Sequence, residues 1–123
     1  MLLIRTFIGA SPIHGNGVFA AEEIASGTAV WRYEPNFDRV IADEELVGMP
    51  DAFCDYINMY AYRSSDIGGR LLLPCDNAKF LNHSADPNTI ELPLKSIASR
   101  RIQIGEEMTC DYSKFCVDWA GFD

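Results

Sequence analysis

At 123 residues the chain has room for one domain and one modest core, and its 48% hydrophobic content is that of a globular protein. A net charge of −8 and a pI near 4.6, with Arg100-Arg101 the only clustered cations, argue against binding nucleic acid through phosphates and suit a basic partner. No apolar run reaches the length of a membrane span, and Arg5 interrupts Met1-Leu2-Leu3-Ile4 too soon for a signal peptide, so an intracellular protein with no membrane contact is expected.

Residues 2–8 mix β-branched and aromatic side chains and predict a first strand, broken by Ser11-Pro12 and Gly15-Asn16-Gly17 and resumed by Val18-Phe19-Ala20. Ile24-Ala25-Ser26-Gly27 and Ile102-Gln103-Ile104-Gly105 share an Ile-x-x-Gly pattern, each with an apolar residue three positions on, Val30 or Met108. One turn used twice is the expectation.

From Asp43 the pattern turns helical, breaks at Gly48-Met49-Pro50 and restarts at Asp51 as a cap, with Phe53, Ile57 and Tyr60 at i, i+4 and i+7. Tyr60 onward is assigned to strand, because Tyr60-Ala61-Tyr62 and Arg70-Leu71-Leu72-Leu73 flank residues 64–69 as strands flank a hairpin turn. Residues 89–92 and 95–99 predict two more short strands around Pro93. The fold class is therefore mainly β with one or two short helices, and the absence of βαβ alternation excludes a Rossmann reading.

Cys54, Cys75, Cys110 and Cys116 show no C-x-x-C spacing and, with only His14 and His83 beside them, make a poor zinc set. They are read as reduced, mostly buried thiols, and no metal is assigned.

Asn82-His83-Ser84-Ala85-Asp86-Pro87-Asn88 reads as a polar turn rather than a strand, since Pro87 fixes its own φ and pushes Asp86 toward extended geometry. Eighteen residues beyond Asn88 a second dense run begins, Glu106-Glu107-Met108-Thr109-Cys110-Asp111-Tyr112.

These two runs resemble the hallmark motifs of the SET-domain protein lysine methyltransferases, Arg-Phe-x-Asn-His-Ser-Cys-x-Pro-Asn and Gly-Glu-Glu-Leu-Thr-x-Asp-Tyr. Here they begin at Lys79-Phe80-Leu81-Asn82 and Gly105-Glu106-Glu107, and Gly15-Asn16-Gly17-Val18-Phe19-Ala20 is similar to the family's cofactor loop. The resemblance runs from about Arg5 to Tyr112. It implies a SET fold of small curved sheets, in which the segment carrying Tyr112 threads past the Asn82 turn in a pseudoknot-like arrangement. It also implies a single domain over residues 1–123, with 113–123 closing the site where other members carry a zinc-binding tail.

The implied activity is N-methylation of a lysine in a basic, histone-like protein or peptide, with S-adenosyl-L-methionine as cofactor. In-line methyl transfer needs alignment more than acid-base machinery, and a narrow apolar channel helps a lysine of reference pKa about 10.4 to arrive neutral. The resemblance assigns Tyr112 as the catalytic residue that orients the amine, not as a simple base. It assigns Gly15, Asn16, Gly17, Lys79, Asn82 and His83 to the cofactor. Lys79 stands where Arg is usual and keeps the charge without the bidentate fork. Tyr60, Tyr62 and Phe115 are candidates for the lysine channel, and Trp119 is expected to cover the adenine or close the channel, with Phe122 beside it in the tail. Ala85 replaces a usual Cys. Cys110 stands where Phe or Tyr is common, which leaves room for higher methylation.

A homodimer that completes the substrate groove is a further expectation, and so is a location that follows the protein's own source, cytoplasmic for a bacterial chain and nuclear or chromatin-associated for a eukaryotic or viral one. Two other readings compete: a SET-like module that binds cofactor or a basic peptide without turnover, and a metal-dependent hydrolase using His83 and Asp86.

Overall fold

The computed structural model describes residues 1–117 and 119. Ile24 and Ile102 exchange both backbone hydrogen bonds at 2.9 Å, an antiparallel bridge that joins the two Ile-x-x-Gly turns back to back. Gly27 (φ +83°) and Gly105 (φ +85°) both occupy the left-handed region that glycine reaches without strain. Val30 and Met108, three residues beyond each glycine, enter one core with Val18, Ala20, Ile24, Ala98 and Ile102. Full burial of an Ile or Met side chain stabilises the fold by about 1.5–3 kcal/mol, so this cluster carries much of the stability.

In chain order the strands are β1 (Thr6–Ala10), β2 (Asn16–Ala20), β3 (Ala29–Arg32), β4 (Arg39–Ile41), β5 (Tyr62–Arg63), β6 (Leu71–Leu73), β7 (Asn82–His83), β8 (Thr89–Leu92), β9 (Lys95–Ala98) and β10 (Glu107–Cys110). They form three small sheets in the orders β1-β2-β10-β7, β3-β9-β8 and β4-β6-β5. One α-helix, α1 (Asp51–Tyr60), and several 3₁₀ turns complete the described fold.

Four local expectations are corrected. The first strand starts at Thr6 rather than Leu2, because residues 2 and 3 bond elsewhere: Leu2 bridges Trp31, and Leu3 N–H donates to the Val30 carbonyl at 2.9 Å. Asp51 is the first helical residue rather than the cap, which is Pro50, so its carboxylate stabilises the helix N-terminus through the dipole. Tyr60 ends α1 instead of opening a strand, which begins at Tyr62. Asn82 and His83, read as part of a turn, form a two-residue strand parallel to Thr109 and Cys110. That pairing depends on a partner far along the chain, and local composition does not carry it.

Ile57 of α1 packs on Ile41, Leu71 and Leu73, with half-buried Phe53 and Tyr60 beside it, so the helix covers the β4-β6-β5 sheet with one stripe. Pro93-Leu94 turns β8 into β9 as expected, with Leu94 held at φ 53°. Cys110 is buried, whereas Cys54, Cys75 and Cys116 are half-buried, less than the sequence suggests.

Candidate active site

β10 lies between β2 and β7, pairing Met108 with Val18 on one side and Thr109 with Asn82 on the other. This threading gathers the glycine loop, the Asn-His-Ser run and the Glu-Glu run into one place. Asn82 ties all three: its Nδ2 donates to the carbonyls of His14 and Asn16, each at 3.1 Å, and to Glu107 Oε2 at 3.0 Å. The Glu107 carboxylate also accepts from Ser11 Oγ at 2.8 Å. Asn88, 1% exposed, does similar work deeper in. Its Nδ2 donates to the Glu107 carbonyl at 2.8 Å, and its Oδ1 accepts from Thr109 N–H at 2.9 Å.

The two glycines of the loop have different physical reasons. Gly15 sits at φ +46° with open space around its Cα, a turn that favours glycine. Gly17 has an ordinary φ, but a Cβ there would lie 2.4 Å from Glu107 Oε2. Its smallness admits the Glu107 carboxylate.

A cavity of about 700 Å³ opens beside this knot. His14, Gly15, Asn16, Lys79 and Asn82 line it, and so do Tyr60, Tyr62, Tyr112, Phe115 and Trp119. Every residue expected on a cofactor or channel wall is thus brought to one cavity except Gly17 and His83. The Tyr112 ring meets Trp119 edge-on at 5.0 Å and Phe115 at 5.9 Å, while Tyr62 meets Phe115 at 5.0 Å. The Tyr112 hydroxyl donates to the Leu81 carbonyl. His83 Nδ1 accepts the Tyr112 backbone N–H at 3.1 Å, and its ring lies 4.7 Å from Trp119.

Burial pushes the Tyr112 phenol above its ordinary range, with the Cys110 and Cys116 thiols adding to the shift. Tyr62 is pushed up the same way, first by burial and then by Cys110 and Glu91. Asp111 is held below the usual carboxylate range, chiefly by the Ser113 hydroxyl at 2.6 Å. Lys79 Nζ donates to Tyr56 Oη at 2.8 Å and lies over the Tyr56 and Tyr60 rings, with no carboxylate in ion-pair reach among the described residues.

The chain after Tyr112 is anchored through its backbone: Ser65 N–H donates to the Phe115 carbonyl at 3.0 Å and Val117 N–H to the Arg63 carbonyl at 2.9 Å. Phe122 lies outside the described residues. Among the described residues no three His, Cys, Asp or Glu side chains come together as a metal site, and no helix is long and apolar enough to cross a membrane. Sequence reasoning missed Tyr56, Glu107 and the cavity-lining Trp31, Glu91 and Ser96. The alternation of Thr89 and Glu91 with Ile90 and Leu92 along β8 was the available signal, and the strand turns the polar pair inward while Ile90 and Leu92 are exposed.

Residues 15–113 match the family described as SET domain. The chain is 34% identical over 116 residues to Drosophila melanogaster histone-lysine N-methyltransferase SETD1, covering 83% of this chain and 7% of that one. It is 30% identical over 119 residues to human histone-lysine N-methyltransferase 2B, covering 88% and 4%. It therefore spans a small fraction of the length of these relatives. Its fold is similar to that in Polycomb Repressive Complex 2 of Chaetomium thermophilum bound to GSK126, with a TM-score of 0.68 at 24% identity over 94% of this chain and 16% of that one. A ctPRC2 structure in an autoinhibited conformation bound to S-adenosylmethionine gives 0.67 at 22% identity, with the same coverage. Motifs, threading and likeness agree, and the chain belongs to the SET-domain family.

Proposed function

We propose that the cavity holds S-adenosylmethionine and the side chain of a lysine from a basic, histone-like protein, and that the chain catalyses N-methylation of that lysine. The observation that carries this reading is the Tyr112 hydroxyl, fixed on the Leu81 carbonyl in a cavity walled by both the glycine loop and a run of aromatics. The relatives' printed names, histone-lysine N-methyltransferases, support the lysine, and the net charge of −8 suits a basic partner.

The cofactor fits what is present. The cavity has the volume of small-molecule sites, roughly 300–1,000 Å³. Lys79, resting on two tyrosine rings with no carboxylate partner among the described residues, is a counter-charge for the cofactor's carboxylate. Trp119 offers an aromatic face, and Gly15 and Asn16 bring backbone close to the cavity. When bound, the cofactor supplies an electrophilic methyl group on a sulfonium.

This chain's residues then orient and desolvate. Tyr60, Tyr62 and Phe115 enclose the alkyl stem, and Tyr112 with its Leu81 partner positions the amine. The Tyr112 phenol stays protonated at neutral pH, so it acts as a hydrogen-bonding group rather than a base. Asn82 and His83 hold the loop and Tyr112 in place. Residues 113–123 act as the closing segment of a single domain, and of their described residues Phe115 and Val117 are anchored on residues 63–65.

The test is transfer of labelled methyl from S-adenosylmethionine to a panel of basic proteins, histones and bacterial nucleoid proteins included, by wild type and Tyr112→Phe. Label on lysine that falls at least about 100-fold in the variant supports the proposal. Absence of label on every protein, or equal labelling by the variant, overturns it.

A further inference from the structure

Trp31, Ser96 and Glu91 stand opposite one another across three strands: β9 pairs Ser96 with Trp31 of β3 on one side and with Glu91 of β8 on the other. Cross-strand partners share a face of the sheet, and all three residues line the cavity that Tyr62 and Tyr112 also line. Trp31 is 7% exposed, and its Nε1–H has no hydrogen-bond partner among the described residues. Neither the glycine loop nor the Tyr112 knot uses this row.

The hydrogen bonds around Glu91 fit both of its protonation states. Ser96 Oγ lies 2.6 Å from Glu91 Oε2 and donates to it in either form. Thr89 Oγ1 lies 2.8 Å from the Thr109 carbonyl and 3.1 Å from Glu91 Oε1, and a hydroxyl has one hydrogen to give. Given to Thr109, that hydrogen leaves the Glu91 contact to be made by a carboxyl proton donated to Thr89. Swung to Glu91, it satisfies an ionised carboxylate. A group that exchanges a proton inside a cavity needs this tolerance, because an unpaired form would be costly.

We propose that Glu91 accepts the proton that the target lysine's ε-ammonium sheds before methyl transfer. The proposal rests on the lysine-methylation reading above. The step is a proton transfer that balances: the Glu91 carboxylate takes H⁺ from the ammonium, giving a carboxylic acid and a neutral amine that carries the lone pair methyl transfer needs. The proton then leaves to solvent water.

The surroundings favour uptake. Burial raises the Glu91 carboxyl from its ordinary range, against the pull of Ser96 and Thr89, and the carboxylates of Asp66 and Asp111 add to the rise. The other titratable neighbours are the Tyr62 phenol and the Cys110 thiol, both neutral at physiological pH because burial pushes them up.

Glu91→Gln separates the proton from the structure, since an amide donates to Thr89 and accepts from Ser96 as the acid does but takes up no proton. The experiment compares kcat and KM of wild type, Glu91→Gln, Ser96→Ala and Tyr112→Phe from about pH 6.5 to pH 10, on whichever protein of the basic panel wild type labels best. Glu91→Gln is expected to lower kcat by about 100-fold near pH 7. The loss should shrink toward pH 10, where bulk solvent deprotonates lysine. Ser96→Ala, which removes a donor to the ionised form, should move the acidic limb of the kcat profile upward. Parallel profiles for wild type and Glu91→Gln, or a rise in KM with kcat intact, overturn Glu91 as acceptor while leaving the methyltransferase reading standing. Absence of transfer by wild type overturns both.

Discussion

The Tyr112 backbone N–H donates to His83 Nδ1 at 3.1 Å, which fixes the imidazole as a hydrogen-bond acceptor at the nitrogen facing Asp111. The Asp111 carboxylate lies 3.7 Å from that same nitrogen, yet Nδ1 cannot hold a proton for an ion pair while it accepts from Tyr112. Asp111 instead accepts from Ser113 N–H at 3.0 Å and from the Ser113 hydroxyl. His83 is therefore a positioning residue that sets where the Tyr112 backbone begins its 3₁₀ turn.

The expected neutral tautomer of His83 carries its hydrogen on Nε2, which nitrogen-15 NMR reads directly. His83→Ala should lower methyl transfer about 10- to 100-fold by loosening Tyr112, and His83→Asn, whose carbonyl can take the place of Nδ1, should recover part of it. A proton found on Nδ1, or an unchanged kcat in the alanine variant, would sink the assignment.

Alkaline titration gives a second check. Burial raises both Tyr62 and Tyr112, so the folded protein holds two phenolic protons that the unfolded chain releases near pH 10. Stability is then lost as pH rises through and beyond about 10, the direction set by linkage. Followed by tyrosinate absorbance, both phenols should ionise late and together with unfolding. Early ionisation of Tyr112 in a folded Tyr62→Phe variant would contradict this.

Gly17 and Glu107 should be thermodynamically coupled. In Gly17→Ala the new Cβ displaces the Glu107 carboxylate from Ser11 and Asn82, at a cost of about 1–3 kcal/mol. In a Glu107→Ala background the same change should cost little. A double-mutant cycle by chemical denaturation should return a coupling of at least ~1 kcal/mol; additive effects would show that the close approach has no weight.

Much of this site is legible from residue order because its parts are short and local. Gly15 needs only a turn, Tyr112 follows Asp111 in a recognisable run, and the shared Ile-x-x-Gly pattern announces one turn used twice. What residue order hides is whatever depends on register between distant strands. Asn82 and His83 become a strand only because Thr109 and Cys110 arrive beside them. Tyr60 looks like a strand residue until α1 finds its sheet. The Trp31-Ser96-Glu91 row exists only once β9 is seated between β3 and β8. Gly17 reads as a ligand-facing glycine, and its real neighbour, Glu107, is ninety residues away in sequence.

Trp119 tests the closing segment. Its ring stands edge-on to Tyr112 and 4.7 Å from His83, in contact with two residues of the knot and with the cavity. Trp119→Ala should weaken cofactor binding, measured calorimetrically, by about 10-fold, as loss of an aromatic contact worth ~0.5–1.5 kcal/mol plus buried area implies. The fold should survive, since the core clusters lie elsewhere. Unaltered affinity and kcat would remove Trp119 from the site.

Glu91 makes a last prediction that needs no substrate. Its carboxyl is raised in the folded protein, so between the ordinary carboxyl pKa of about 4.3 and its folded value the native state binds a proton that the unfolded state has released. Linkage then requires stability to fall as pH rises through that window and to stay lowered above it. Glutamine, an isostere of the protonated acid, has no such dependence. Thermal melts should therefore show little difference between wild type and Glu91→Gln near pH 4, and a difference favouring the variant that grows as pH rises through that window and then levels off. The same variant is expected to lose methyl transfer at about pH 7. Stability gained and activity lost by one isosteric change is the signature of a group kept for its proton rather than for its packing, and a pH-independent difference in melting temperature would exclude it.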